Sequence, residues 1–153
     1  MLQKSTQIAL ISDAGTPLIN DPGYPLVELA RKQNIPVIPI PGPSALICAL
    51  SAAGVPTDAF SFYGFPPAKS SARKKFFQDC INQTHHSLVF YESTHRIKES
   101  LNDLSNILEK EQAIVLAKEL TKTYEQFKQD SIENVLKWLD EDINRIKGEF
   151  VLI

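Results

Sequence analysis

An apolar run, Ile8-Ala9-Leu10-Ile11, leads directly into Ser12-Asp13-Ala14-Gly15-Thr16-Pro17-Leu18-Ile19-Asn20-Asp21-Pro22-Gly23. An apolar-periodic segment, Leu26-Val27-Glu28-Leu29-Ala30, leads out of it. The first pattern predicts a buried strand over 8–12, and the second a helix over 24–33. The link between them holds two Gly, two Pro, two Asp, an Asn and a Thr. That is more turn chemistry than a strand-to-helix connection of about two to six residues requires. Gly15 and Gly23 permit positive φ or close approach of another molecule to the backbone. Asp13, Thr16 and Asp21 bring short polar groups to the carboxyl end of a strand, where open α/β sheets bind ligands. A long surface loop before a capped helix would show the same composition, so the rest of the chain has to decide.

A second unit of the same kind follows. Pro36-Val37-Ile38-Pro39-Ile40 predicts a short, proline-limited strand, completing a βαβ unit with parallel pairing. Pro41-Gly42-Pro43-Ser44 then opens a helix over 45–53 that is apolar on nearly every face and is expected to be buried. Two successive strand ends thus carry glycine-containing polar loops, a pairing that points to a pocket. Gly54-Val55-Pro56-Thr57-Asp58 is the best linker, so a boundary is expected there, with domains over 1–56 and 57–153.

Beyond the linker, strands are expected at 60–65, 87–91, 113–117, 124–127 and 149–153. Helices are expected from Lys69 to Ile81, through Ile97, Leu101, Leu104 and Leu108, and after a capping box of Asp130 and Glu133. The strand over 149–153 ends the chain, and the whole reads as a piece of a longer protein. With 153 residues about two-thirds of the unfolded surface can be buried, and 22% charged residues are ordinary for a globular chain. A net charge of −2 gives no global attraction to nucleic acid, so any such contact must rest on a local patch. Lys69, Arg73, Lys74 and Lys75 form the one basic cluster, placed where it opposes its own helix dipole. Its function would be contact with RNA phosphate; otherwise it is a solvated first turn.

Polar clusters follow two further strands. Tyr91-Glu92-Ser93-Thr94-His95-Arg96 combines a carboxylate, hydroxyls, an imidazole and a guanidinium, and Lys118-Glu119-Leu120-Thr121-Lys122 repeats the arrangement. Helix capping beside solvated charges is the structural alternative for the first cluster, and an exposed Lys–Glu hairpin for the second. No G-x-G-x-x-G or P-loop motif occurs, and Ser44 and Ser93 lack a nucleophile elbow. The three histidines and two cysteines have no metal-ligand spacing, so no metal is expected. Cys48 and Cys80 are expected as buried free thiols. The polar opening Gln3-Lys4-Ser5-Thr6-Gln7 and the lack of an apolar run of about 20 residues predict a cytoplasmic protein with no membrane partner.

The runs at 12–23, 41–45, 50–54, 91–96, 118–122 and 147–153 resemble, in order and spacing, the tetrapyrrole methylase-like (class III) S-adenosylmethionine-dependent methyltransferases. Within that family they are most similar to the branch that methylates the ribose 2′-hydroxyl of a cytidine in 16S ribosomal RNA. The resemblance implies an α/β fold of two lobes with S-adenosylmethionine in the cleft between them. It further implies a homodimer acting on 16S ribosomal RNA or the small ribosomal subunit. Members begin with a strand, a Thr-Pro-Ile-Gly-Asn-Leu loop and a Glu-Asp-Thr-Arg segment upstream of the position of Ser12. Against that pattern the first lobe is incomplete, the chain lacks the amino-terminal part, and this piece is expected to be inactive by itself.

Residue by residue, the resemblance puts Gly15-Thr16-Pro17 where the superfamily has Gly-Asp-Pro. Asp13, Gly15, Thr16 and Ile19 then border the cofactor, Ser44 and Ala45 bond it from a helix start, and Tyr91 borders its other side. Glu92 and Lys118 are the catalytic candidates, since each follows a buried strand at the cofactor end of the sheet. Lys118 would act as base or alkoxide partner and Glu92 would position the ribose. His95 and Arg96 join Lys69, Arg73, Lys74 and Lys75 as substrate-binding candidates. Two other functions stay open: methylation of a corrin or porphyrin, and a non-catalytic binding fragment.

Overall fold

The computed structural model describes residues 6–153 and divides into two compact units, 1–44 and 45–153. Residues 3–5 of the polar opening lie outside the described residues.

The first unit contains the helix α1 (Tyr24–Lys32), which starts as expected. Pro25 stands in its first turn, where a missing N–H costs nothing, and Arg31 and Lys32 close it against the negative end of the helix dipole. The strands expected at 8–12 and 36–40 are not formed. A strand exists only as part of a ladder, and these runs find no ladder partner among the described residues. Their side chains stay in solvent, with Ile11 84% and Ile40 79% exposed.

The second unit is built on one mixed sheet. Its elements in order are α2 (Ala45–Ala52), β1 (Phe60–Phe62), α3 (Ser70–Gln83), β2 (Ser87–Ser93) and α4 (Ile97–Ser105). After these come β3 (Ala113–Lys118), β4 (Gln126–Ser131), α5 (Ile132–Glu141) and β5 (Glu149–Leu152). The strand order is β1-β2-β5-β3-β4; β1 and β2 pair parallel and every other pair is antiparallel.

Alternation along each strand separates two cores. Phe90, Leu116, Phe150 and Leu152 face α3, α4 and α5, which contribute Phe77, Ile97, Leu101, Val135 and Leu139. Val89, Ala117 and Val151 face the other way, onto Ala49 and Leu50 of α2. That packing places α2 in the second unit, so the compact units part earlier than the 56/57 linker. Nor is α2 buried all round: Ala49 and Leu50 are enclosed while Ile47 is 55% exposed. At α5 the cap is Ser131, whose hydroxyl accepts from Asn134 N, and not the expected Asp130. Asp130 is drawn into β4, where the Lys128 ammonium, the Asn134 amide and the Ser131 N–H lower its carboxyl to about 2.

Arg73 corrects the expected basic cluster. It is 1% exposed and joins α3 to α4, its Nε donating to Asp103 Oδ2 at 2.7 Å and its Nη1 to Ala68 O at 3.2 Å. Ser70 Oγ donates to Asp103 Oδ1 at 2.8 Å. Burial pushes the Asp103 carboxyl up, but the bonds from Ser70 and Arg73 outweigh it and hold the group below its ordinary range.

The entry to β5 is clamped on both sides. Thr94 Oγ1 donates to Gly148 O at 2.8 Å and accepts from Gly148 N at 2.9 Å. Glu149 N donates to Glu119 Oε1 at 3.0 Å. Gly148 has φ 108, and a Cβ there would lie 2.5 Å from the Glu119 side chain.

Two consequences are measurable by urea denaturation. Asp103→Ala leaves the buried Arg73 guanidinium with only the exposed Glu99 carboxylate, at 3.4 Å, an expected loss of about 3 kcal/mol. The folded Asp103 value lies below the unfolded one, so its stabilisation is complete above about pH 4 and is lost as pH falls through the folded value. Gly148→Ala combines strain at positive φ with displacement of Glu119, an expected loss of about 1–3 kcal/mol. An unchanged midpoint in either variant would show that its contact does not hold the fold.

Candidate functional site

In the first unit the 12–23 loop is tied by its own polar groups. Ser12 Oγ donates to Gly15 O at 2.7 Å, and Thr16 Oγ1 donates to Pro43 O at 2.9 Å. The second bond brings the 12–23 loop against Pro41-Gly42-Pro43-Ser44, uniting the two glycine-containing loops in one place. A Cβ on Gly15 would meet Pro43 O at 3.8 Å. Four residues of the loop have positive φ: Gly15 at 74, Leu18 at 72, Asn20 at 56 and Gly23 at 131. Glycine takes these angles freely, whereas a leucine there is a strained outlier of the kind concentrated in ligand sites. Asp13 and Ile19 lie exposed on this loop, and Thr16 is half-buried.

In the second unit Tyr91 reaches from β2 to the start of α2. Leu46 N donates to its hydroxyl at 3.2 Å, satisfying one of the N–H groups that a helix start leaves open. The Tyr91 ring meets Phe62 edge-on at 4.7 Å and Phe65 at 5.7 Å. Tyr91 and the Ala45 end of α2 are thereby neighbours, while Ser44 directly precedes that helix.

Glu92 and Lys118 fall in one row across the sheet, since both pair with Phe150 of the intervening β5. Two strand spacings separate their backbones, roughly 10 Å. The two differ sharply in their surroundings. Glu92 is 2% exposed and fully engaged: Ser93 N donates to Oε2 and Ser100 Oγ to Oε1, each at 2.7 Å, and Arg96 Nε lies 3.3 Å away. Its carboxylate therefore anchors the start of α4 and orients Arg96. Arg96 also donates Nη1 to Pro66 O at 3.2 Å and stacks over Phe65 at 6.0 Å, leaving part of its guanidinium in solvent. His95 beside it is exposed.

Lys118 closes β3 and is 4% exposed, yet its side chain makes no hydrogen bond or ion pair among the described residues. Its charge acts on the neighbouring Glu119. Its side chain lines a cleft of about 380 Å³ with Tyr124, Gln126, Asn144, Arg145 and Lys147. The nearest carboxylate is already committed. The Glu149 N–H, then Lys122, hold the Glu119 carboxyl below its ordinary range, and bonds to Glu149 and Glu119 hold the Lys122 ammonium above its own. Glu119 and Thr121 both have positive φ, 52 and 65, so the turn after β3 is strained as well.

Of the basic cluster, Lys69, Lys74 and Lys75 are exposed on the first turns of α3, and only Arg73 is turned inward. Lys74 leans on the same carboxylate, with Nζ 3.5 Å from Asp103 Oδ1. The cluster lies on α3 while the Lys118 cleft lies at the ends of β3 and β4, so these are two separate features of the second unit. Ser100 and the cleft residues Tyr124, Asn144, Arg145 and Lys147 carry no sequence signal that marks them as site residues. Lys147 opens a run, 147–153, that carries the family resemblance without a site role for the lysine itself.

The model of the tetrapyrrole (corrin/porphyrin) methylases matches residues 2–136. "Ribosomal RNA small subunit methyltransferase I" of Escherichia coli O157:H7 is 52% identical over 152 residues, 99% of this chain and 53% of that protein. The proteins of that name from Haemophilus influenzae and Pseudomonas aeruginosa are 52% and 45% identical over the same share of this chain. The chain spans about half the length of the curated relatives it matches. Among solved structures, the cobalt precorrin-4 methyltransferase CbiF superposes with a TM-score of 0.66 at 13% identity, covering 90% of this chain and 60% of that one. The methyltransferase CobJ superposes with 0.61 at 18% identity and the same coverage. The strained glycine loops, the mixed sheet and the match over most of the chain agree, and the chain belongs to the tetrapyrrole (corrin/porphyrin) methylases.

Proposed function

We propose that this chain is part of an S-adenosylmethionine-dependent methyltransferase that modifies the ribose 2′-hydroxyl of a cytidine in 16S ribosomal RNA. The observation that carries the reading is identity at about half of all positions, over nearly the whole chain, with relatives named as ribosomal RNA methyltransferases. Methylation of a corrin or porphyrin is the weaker alternative, since the relatives so named share only the fold at 13–18% identity. The reading includes a homodimer in the cytoplasm, and two family domains meeting at 56/57.

The cofactor supplies, when bound, a methyl group already activated on a sulfonium. The chain's part is to hold it, align the acceptor and manage one proton. Gly15, Thr16 and Ile19 with Asp13, then Ser44 and Ala45, and Tyr91 are the residues proposed to hold it. The Thr16–Pro43 bond supports this by joining the two loops, and the exposed backbone around Gly15 leaves room for a ligand.

A ribose 2′-hydroxyl is a weak nucleophile near neutral pH and needs a base or a cation facing its developing charge. Lys118 has that role in our reading, because its amine has no acceptor in the protein and lines a cleft open to a substrate oxygen. Glu92 acts through Arg96, which with His95 and the exposed Lys69, Lys74 and Lys75 contacts RNA. Arg73 supports that surface by fixing α3 on α4.

Single-turnover methylation by the full-length gene product tests the assignment. Lys118→Ala is expected to bind cofactor and RNA normally yet lose rate by about a hundredfold or more, the scale of one positioned acid–base group. A normal rate would remove Lys118 from the chemistry. Gly15→Val places a β-branched residue at φ 74 and is expected to abolish S-adenosylmethionine binding in calorimetry. Unchanged affinity would put the cofactor elsewhere.

A further inference from the structure

A lysine that is 4% exposed over its whole side chain and backbone, yet whose ammonium has no hydrogen-bond acceptor in the protein, keeps that ammonium at water, where an anion or a polar oxygen can take the place of solvent. Lys118 is such a group, and it opens into a cleft and not into packed core. At about 380 Å³ the cleft falls in the range of about 300–1,000 Å³ typical of small-ligand sites. Its walls come from the end of β3, the start of β4 and the 142–147 turn before β5.

The charges around it sort into committed and available. Glu119 is taken by Lys122 and by Glu149 N. Asp142 Oδ1 accepts from Asn144 N at 2.8 Å and from Asn144 Nδ2 at 3.1 Å, so it has hydrogen bonds but no cation of its own. Arg145 is bound to Glu141, donates Nη1 to Trp138 O and stacks over the Trp138 ring at 4.8 Å. Lys147 differs: its one partner is neutral, Asn144 Oδ1 at 3.0 Å, and its side chain is exposed at the wall of the cleft. Two ammonium groups without carboxylate partners, Lys118 at the end of β3 and Lys147 at the wall, thus line the same space and outnumber its one unpaired carboxylate, Asp142.

Ribose chemistry gives that pair a meaning. In RNA the 2′-oxygen and the 3′-phosphodiester are on adjacent carbons of one sugar, so a site that receives the first must also accommodate the negative charge of the second. We propose that this cleft is the seat of the acceptor nucleotide, with its ribose toward Lys118 and its 3′-phosphodiester on Lys147, which Asn144 holds in place. The inference rests on the RNA-methyltransferase reading above and adds a phosphate contact on the 142–147 turn. Lys147 is a binding residue here, with no part in proton transfer.

The test is binding of a single-stranded oligoribonucleotide containing cytidine to the full-length gene product, read by fluorescence anisotropy across a salt series, alongside methylation kinetics on small-subunit RNA. Lys147→Ala is expected to weaken oligoribonucleotide binding and raise KM about tenfold, the scale of one lost charge-assisted hydrogen bond. It should flatten the salt slope by about 0.7 to 1 unit and leave kcat at saturating RNA unchanged. Lys147→Arg should restore the slope, which a merely structural role for the turn would not explain. If the wild-type protein methylates RNA while Lys147→Ala binds with unchanged affinity and slope, the seat is overturned and the broader reading stands. If the wild-type protein transfers no methyl group to RNA, both fall.

Discussion

The register of β5 is the constraint on which the rest of the second unit depends. This strand of four residues separates β2 from β3 and sets Glu92, Phe150 and Lys118 in one row. A slip of one residue would send Phe150 and Leu152 to the α2 face and Val151 to the helical layer, exchanging the contents of the two cores. The register is held at its entry by the paired bonds between Thr94 and Gly148 and by Glu119 accepting from Glu149 N. The residues that specify the sheet therefore come from the same loops that carry the polar clusters at its end.

That coupling accounts for where the strain lies. Glu119 and Thr121 sit at positive φ directly after Lys118, and Leu18 and Asn20 do so in the 12–23 loop. A relaxed turn would serve equally well to connect two elements. In the second unit the strained turn leaves the Lys118 amine at an open cleft, while Glu119 and Lys122 satisfy each other nearby. Glu92 shows the opposite solution, a buried carboxylate with every bond made, which fixes Arg96 and hence what that side of the sheet presents to solvent.

Much of this was legible in the sequence because the signals are local. The periodicity of Leu26 to Ala30 marks α1, Ile97 with Leu101 and Leu104 marks α4, and the apolar runs of β2 and β3 place Glu92 and Lys118 at strand ends. What failed depended on partners distant in sequence. The runs at 8–12 and 36–40 have strand composition but no ladder to join among the described residues. Arg73 looked like one more surface cation because Asp103, which draws it inward, lies a whole strand and helix away. Ser131 displaced Asp130 as the cap of α5 once β4 extended to meet all of β3. The wall of the cleft formed by Asn144 and Lys147 belongs to an irregular turn, which leaves no period to read.

Family membership, the strained two-loop region of the first unit and the unpartnered Lys118 amine of the second each agree with the proposed methyl transfer to ribosomal RNA. The most direct measurement is mass spectrometry of ribose methylation on 16S ribosomal RNA from cells with and without the gene that carries this chain. The account predicts that one cytidine loses its 2′-O-methyl group when the gene is absent and regains it when the gene is restored. An identical methylation pattern in both strains would contradict it.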